Sequence, residues 1–200
     1  RGLNVDISYK FFMGEFMFSL NQAFYYTKVY NALVPQSDSL AKGLLLYENA
    51  NSPLVTKGFD TNMKLSLDEL MLFVDYTFTD VQKNYDKINP HFELTPKHKL
   101  NMTLTYEVEQ SWRTGIEAFY TGKQYIDELT QSRDYWTVGF MIQKIFTNFS
   151  IIGNVENIFD VRQTKYEQVV KKPYNAPTFR PIYAPLDGVV ANVALELKIR

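Results

Sequence analysis

The stretch from Leu3 to Met13 reads LNVDISYKFFM, with an apolar side chain at every odd position and a polar one at most even positions. Successive side chains of a β-strand point to opposite faces, so this stretch predicts a strand with one apolar face and one polar face. A half-buried strand of a soluble protein has the same pattern. The fold is therefore decided by how often the pattern recurs and by how its copies are connected.

Nine stretches show this alternation, and the connections between them are alternately short and long. The predicted strands are residues 3–13, 16–28, 54–67, 70–78, 98–108, 112–122, 135–145, 149–158 and 187–200. Four connections have the length of hairpin turns, whereas those at 29–53, 79–97, 123–134 and 159–186 are long. All tight turns then lie at one end of an antiparallel meander and all long loops at the other, as in bacterial outer-membrane β-barrels.

The composition agrees with an all-β membrane protein. The 200 residues are 46% hydrophobic and 16% aromatic, which excludes a disordered chain. The longest apolar run, residues 70–74, is too short for a membrane helix of about 20 residues, whereas a barrel strand needs only about 9 to 11. A net charge of -1 without a basic stripe argues against nucleic acid as a partner.

The apolar rows are predicted to face lipid, and aromatic residues lie near their ends. In the fifth strand, for example, Leu104 belongs to the apolar row and Thr103 to the polar row that would face a wet lumen. We interpret the terminal aromatics as two girdles at the lipid interfaces, although aromatic residues also favour strands in general. The loop-end girdle comprises Tyr26, Tyr76, Tyr120 and Trp136, and the turn-end girdle comprises Trp112 and Phe149. Lys144, at the turn end of an apolar row, is predicted to extend its ammonium group toward the headgroups.

The strand count predicts that the sheet is incomplete. Bacterial single-chain barrels have even numbers of strands, and a barrel of nine would also need parallel first and last strands. The chain starts at Arg1 without an initiator Met or a signal segment. We therefore expect these strands to be the last nine of a larger barrel.

Two segments carry a family resemblance beyond this pattern. The first is TPKHKLN at 95–101 with FYTGKQY at 119–125, separated by Tyr106, Trp112, Arg113, Gly115 and Glu117. The second is NVENIFDVRQ at 154–163, followed by APLDG at 184–188 before the last strand. Together they resemble the barrel of TonB-dependent outer-membrane receptors, and the resemblance extends over essentially the whole chain.

The resemblance implies that residues 1–200 form the C-terminal part of a barrel of about 22 strands with a plugged lumen, in the outer membrane of a Gram-negative bacterium. Such receptors take up scarce large ligands such as ferric siderophores, cobalamin or glycans, with energy supplied through TonB. The expected partners are outer-membrane lipid, an imported small molecule, and TonB through the plug. The plug and the N-terminal strands are expected upstream of Arg1, and the chain ends in Arg200 where the family usually has an aromatic residue.

Ligand-contact candidates are the aromatic and cationic residues of the long loops. Such side chains suit an anionic or aromatic chelate or a sugar, although loop residues can equally pack over the plug. The preferred candidates are Tyr85, His91, Tyr125, Arg180 and Tyr183, with Phe92, Tyr174 and Phe179 as further ones. The chain has two histidines, no cysteine and no recognisable nucleophile, phosphate-loop or zinc motif, so we expect no enzyme activity, cofactor or metal.

Two other functions are compatible with the same alternation of apolar and polar residues. A soluble or surface β-barrel or sandwich that binds a ligand would bury the apolar rows inside and expose the polar rows. An outer-membrane enzyme would need a nucleophile and base, and the sequence shows no such arrangement. The orientation of the rows distinguishes the membrane barrel from the soluble module.

Overall fold

The computed structural model describes residues 1–36, 46–127 and 129–198. Its strands, in chain order, are β1 (Gly2–Met13), β2 (Phe16–Val29), β3 (Leu33–Pro35), β4 (Tyr47–Asn49), β5 (Leu54–Leu67), β6 (Leu70–Lys83), β7 (His98–Val108), β8 (Trp112–Thr121), β9 (Tyr135–Ile145), β10 (Phe149–Glu156), β11 (Val170–Lys171), β12 (Thr178–Phe179) and β13 (Val190–Leu197). A short 3-10 helix covers Gln163–Lys165. Within these described ranges no helix is long and apolar enough to cross a membrane.

The nine long strands form one antiparallel meander. Their order in the sheet is β1-β2-β5-β6-β7-β8-β9-β10-β13, and each strand pairs with the long strand that precedes and follows it. The pairs β3-β4 and β11-β12 are small hairpins within two of the long loops. In the part of the chain that the structure describes, β1 and β13 are the two edges and do not pair with each other. The predicted open meander is confirmed.

The strand register collects apolar residues on one face of the sheet. One row of cross-strand partners runs through all nine strands with an apolar residue at every position. Its members are Phe11, Phe18, Leu65, Leu72, Leu104, Ile116, Phe140, Val155 and Ala191. A row on the opposite face contains Lys64, Thr103 and Glu117, and Glu156 lies on that face of β10. We call these surfaces the apolar face and the polar face.

Within the described ranges, no protein layer packs against the apolar face. Leu104 and Phe140 are each 40% exposed, and Leu195 is 63% exposed. Among the described residues, Ala50 and Ala184 are the only buried apolar side chains. A soluble module of the kind considered above needs an apolar core, since burial of apolar surface is the main force that stabilises it. The sheet instead presents its apolar rows outward, as a membrane strand does.

Six of the nine long strands have bounds that differ from the sequence prediction, and β1, β2 and β8 differ by a single residue. β6 continues five residues beyond Phe78, because residues 79–83 pair with residues 54–58 of β5. β10 ends at Glu156, since Asn157 adopts a left-handed backbone conformation with φ of 50°. The last strand spans Val190–Leu197 rather than 187–200, and residues 199–200 of that prediction lie outside the described residues.

The predicted girdle residues lie on the apolar face at the ends of its rows. At the loop end the rings of Tyr120 and Trp136 are 5.1 Å apart, and the Tyr120 hydroxyl donates a 3.1 Å hydrogen bond to Asp134 beyond the strand. Tyr26 and Tyr76 lie on the same face, and Trp112 marks its turn end. An apolar ring with a polar tip suits a lipid interface.

The assignment of the two faces can be tested with a pair of neighbouring substitutions. Leu104→Arg should lower the free energy of unfolding of the complete barrel by about 2 to 4 kcal/mol, because it places a cation in hydrocarbon. Thr103→Arg should have a much smaller effect, since Thr103 lies on the polar face. The measurement is reversible denaturant unfolding in lipid vesicles, and equal losses for the two variants would contradict the assignment.

Candidate functional site

Three long loops join into one layer at the loop end of the sheet. We call them the second loop (84–97), the third loop (122–134) and the fourth loop (157–189). The amide of Leu94 donates a 2.9 Å hydrogen bond to the carbonyl of Tyr125, which joins the second loop to the third. The side chain of Gln124 donates to the carbonyl of Tyr183 at 3.2 Å, which joins the third loop to the fourth. The candidate ligand residues therefore belong to a connected surface.

His91 and Tyr125, two of the predicted ligand residues, contact each other directly. Their rings are stacked with centroids 3.9 Å apart and planes 9° apart. His91 also forms an isolated β-bridge with Gln82, which attaches the second loop to an extension of β6. Because each ring covers one face of the other, each has a single face left for another molecule.

The stacked rings border a cleft between the second and third loops. The cleft has a volume of about 170 Å³ and is also bordered by Lys97 and Lys123. A recess of about 530 Å³, bordered by Arg133 and Asp134, adjoins it, and Lys123 belongs to the lining of both. We call the two spaces together the cationic cleft. Thr79 and Val81 of the polar face line part of it, so it lies on the side of the polar face.

The charges around the cationic cleft are mainly positive. Lys97 is paired with Asp80, at 2.7 Å between Nζ and Oδ1, and Arg133 lies 4.9 Å above the ring of Tyr166. Among the described residues Lys123 forms no ion pair, and Asp134 is the one carboxylate in the cleft lining. Ammonium and guanidinium groups next to aromatic rings can hold an anionic or aromatic molecule.

Arg180 and Tyr183 converge on Glu167 inside the fourth loop. Arg180 Nη1 lies 2.5 Å from Glu167 Oε2. Burial and the neighbouring Glu167 carboxylate, which accepts a hydrogen bond from the hydroxyl, raise the pKa of Tyr183 above its usual value. Both side chains thus have partners within their own loop, and a direct contact between either of them and a ligand stays a prediction.

Gln163 organises the fourth loop, and sequence reasoning did not identify it. Its side chain is completely buried, and Nε2 donates 3.0 Å hydrogen bonds to Glu167 Oε1 and to the carbonyl of Pro181. Its Oε1 accepts hydrogen bonds from the amides of Tyr183 and Ala184. A polar residue in a loop has no periodic pattern that would reveal such a role.

Tyr85 lies apart from the cationic cleft. It borders a separate open recess between the second loop and the β3-β4 hairpin, together with the ion pair of Lys83 and Glu93. Burial raises the pKa of Tyr85, as do the nearby carboxylates of Asp86 and Glu93. The acidic surroundings make this recess a poorer anion site than the cationic cleft.

The two histidines have separate environments. His98 Nδ1 is 2.8 Å from the hydroxyl of Tyr76 at the end of the apolar face, whereas His91 is stacked in the loop layer. Within the described part of the chain, no group of three or more His, Cys, Asp and Glu side chains could hold a metal ion.

Comparison with known proteins identifies the fold. The family model described as the β-barrel of TonB-dependent receptor-like proteins matches residues 1–158. The chain belongs to this family. TonB-dependent receptors are outer-membrane proteins of Gram-negative bacteria and are receptors rather than enzymes.

Solved structures of TonB-dependent receptors match the chain at low sequence identity. The ferric enterobactin receptor PfeA from Pseudomonas aeruginosa matches 98% of this chain at 16% identity with a TM-score of 0.68, and the match covers 31% of the receptor. The siderophore receptor PiuA from Acinetobacter baumannii matches 98% of the chain at 18% identity with a TM-score of 0.68, covering 28% of that receptor. The chain thus spans about a third of these structures. None of the curated protein sequences compared with the chain matches it.

The second segment that resembles TonB-dependent receptors, residues 154–163, has a structural role in this chain. The side-chain amide of Asn157 donates to the carbonyls of Val161 and Asp187, at 2.9 and 3.2 Å, and its oxygen accepts from the amide of Val161. It thereby ties the start of the fourth loop to its end. Gly188 lies so close to the carboxylate of Asp160 that a Cβ atom would collide with it.

Replacing Gln163 with Ala tests the organisation of the fourth loop. The change leaves the buried Ala184 amide and the part-buried Tyr183 amide without their partner, and a buried unpaired group costs about 1 to 3 kcal/mol. The free energy of local opening of residues 157–189, measured by hydrogen exchange, should fall by at least about 1 kcal/mol. Thr164→Ala, at an exposed neighbouring position, is the control. Unchanged exchange in the Gln163 variant would contradict the role of this side chain.

Proposed function

We propose that the chain is the C-terminal part of the barrel of an outer-membrane receptor that imports a scarce, large ligand with energy supplied through TonB. The observation that carries this proposal is the combination of one continuous apolar face with a cationic cleft at the loop end of the same sheet. The tight turns would lie in the periplasm and the long loops outside the cell.

The polar face is proposed to enclose the plug domain. It carries charged residues, such as Lys64, Glu117 and Glu156, that would be costly in hydrocarbon but not in a wet lumen. The open edges of β1 and β13 would pair with the remaining strands of the barrel, since an unpaired edge cannot lie in lipid. The plug would supply the contact with TonB.

The ligand is proposed to carry negative charge. Lys97, Lys123 and Arg133 border the cationic cleft, and Asp134 is the one carboxylate in its lining among the described residues. The rings of His91 and Tyr125 offer an aromatic surface beside these cations. Ferric siderophores, whose iron is often held by negatively charged oxygen ligands, fit such a surface better than an uncharged glycan does.

The relatives support a siderophore as the leading candidate. Their names are ferric enterobactin receptor, siderophore receptor and, for Fiu from Escherichia coli K12, ferric-catecholate import receptor. Fiu matches 98% of this chain at 16% identity with a TM-score of 0.64. Since loops carry ligand specificity in such scaffolds, the shared fold supports the class of ligand more than its identity.

The proposal can be tested by removing the two cations that border the recess. In the full-length receptor, Lys123→Gln combined with Arg133→Gln should weaken binding of ferric enterobactin or ferric pyoverdine at least about tenfold, since hydrogen bonds to charged groups contribute about 1.5 to 3 kcal/mol each. Binding is measured by fluorescence quenching on the purified receptor, and uptake with radioactive iron in cells.

Lys171→Gln serves as the matched control, because it removes a cation from β11, outside the lining of the cationic cleft. It should leave affinity and uptake unchanged. Equal affinity of the double variant and the wild type, at matched outer-membrane abundance, would exclude the cationic cleft as the binding site. A panel in which cobalamin or a neutral glycan binds and no ferric siderophore does would overturn the proposed ligand class.

A further inference from the structure

Lys144 interrupts the apolar face at its turn end. The register places it opposite Trp112 of β8 and opposite Ile151 of β10, so its side chain emerges on the apolar face. Its Nζ atom lies 4.2 Å from the centre of the Trp112 ring and 5.8 Å from that of Phe146. The same atom donates a 3.3 Å hydrogen bond to Ser111 Oγ in a tight turn. The ammonium group is thus directed away from the middle of the apolar face.

The position of Lys144 matches the edge of a membrane. Its row on β9 runs from Trp136 at the loop end to Lys144 at the turn end, with Val138, Phe140 and Ile142 between them. The rise of a strand gives this row a length of about 26 Å. The apolar band of an outer-membrane barrel is about 25 Å tall, and a strand tilt of about 35 to 45° lets this row cover about 20 Å of it. The long side chains of Trp136 and Lys144 then extend from the two ends of the row toward the headgroup levels.

The charge of Lys144 has no counterion within the described residues. No carboxylate of this part of the chain forms an ion pair with it. At the loop end, by contrast, Lys57 lies opposite Asp80 on the apolar face and has its carboxylate as a counterion at 3.7 Å. An ammonium group on a lipid-facing surface without a protein counterion is available to an anion of the headgroup layer.

We propose that Lys144, Ser111 and Trp112 form a binding site for the phosphodiester of an anionic phospholipid in the periplasmic leaflet. An ammonium group has three donors, and Ser111 Oγ accepts one of them, which leaves two for phosphate oxygens. The ring of Trp112, which is 42% exposed, and the stacked rings of Phe146 and Phe149 provide an apolar surface for the glycerol and upper acyl chain. The leaflet follows from the proposed function, which places the tight turns in the periplasm.

The test uses the full-length receptor in bilayer nanodiscs of phosphatidylcholine with and without phosphatidylglycerol. Hydrogen exchange of the peptides that contain the tight turns at 109–111 and 146–148 reports on the site itself. Phosphatidylglycerol should slow exchange of these peptides at least about twofold in the wild type. Lys144→Gln should abolish this protection, and Lys144→Arg should retain it because the cation remains.

Lys64→Gln is the matched control, since Lys64 lies on the polar face of β5 and should not contact lipid. In this variant, phosphatidylglycerol should slow exchange of the turn peptides as much as in the wild type. Trp112→Leu provides a second variant that keeps the ammonium group and should reduce the protection partially. Protection that persists in Lys144→Gln, or equal protection by free inorganic phosphate, would overturn the phospholipid site. If the receptor took up no ferric siderophore but still showed this protection, the result would contradict the proposed transport function and still support the lipid site.

Discussion

A backbone amide inside hydrocarbon has no water to bond with, so each strand of a membrane-spanning sheet must pair along both of its edges. The other features of the chain follow from this requirement. Tight turns such as those at 14–15 and 68–69 keep the pairing continuous up to the strand ends. The strands between β1 and β13 each have two neighbours, and β1 and β13 each have one edge without a partner among the described strands. With the backbone paired, the side chains alone decide which face meets lipid.

The long strands could be predicted because a period of two is both local and unambiguous. The bounds of β5, β7 and β9 agree with the prediction. The extension of β6 could not be predicted, since its residues 79–83 no longer alternate and their pairing with β5 continues outside the apolar band. The change from alternating to polar residues marks the end of the membrane-spanning part of the strand, whereas its backbone hydrogen bonding continues further.

The positions of the long loops could be predicted from the sequence, but the contacts between the loops could not. Their aromatic and cationic residues indicated a binding surface, but periodicity carries no information about which loop meets which. The stack of His91 on Tyr125 joins residues from different loops, and the ion pair of Arg180 with Glu167 occupies a side chain that the sequence suggested for the ligand. The role of Gln163 could not be predicted, because it depends on four partners that come together only after folding.

Asn157, in the segment 154–163 that carries part of the family resemblance, addresses a problem of chain entropy rather than of ligand binding. The fourth loop leaves the sheet after β10 and must return beside the same strand, and closing such a long connection has a conformational cost. Asn157 reduces the conformational freedom of both ends of the fourth loop, because its side chain forms hydrogen bonds to the carbonyls of Val161 and Asp187. The residues between these points are then free to differ without disturbing the sheet.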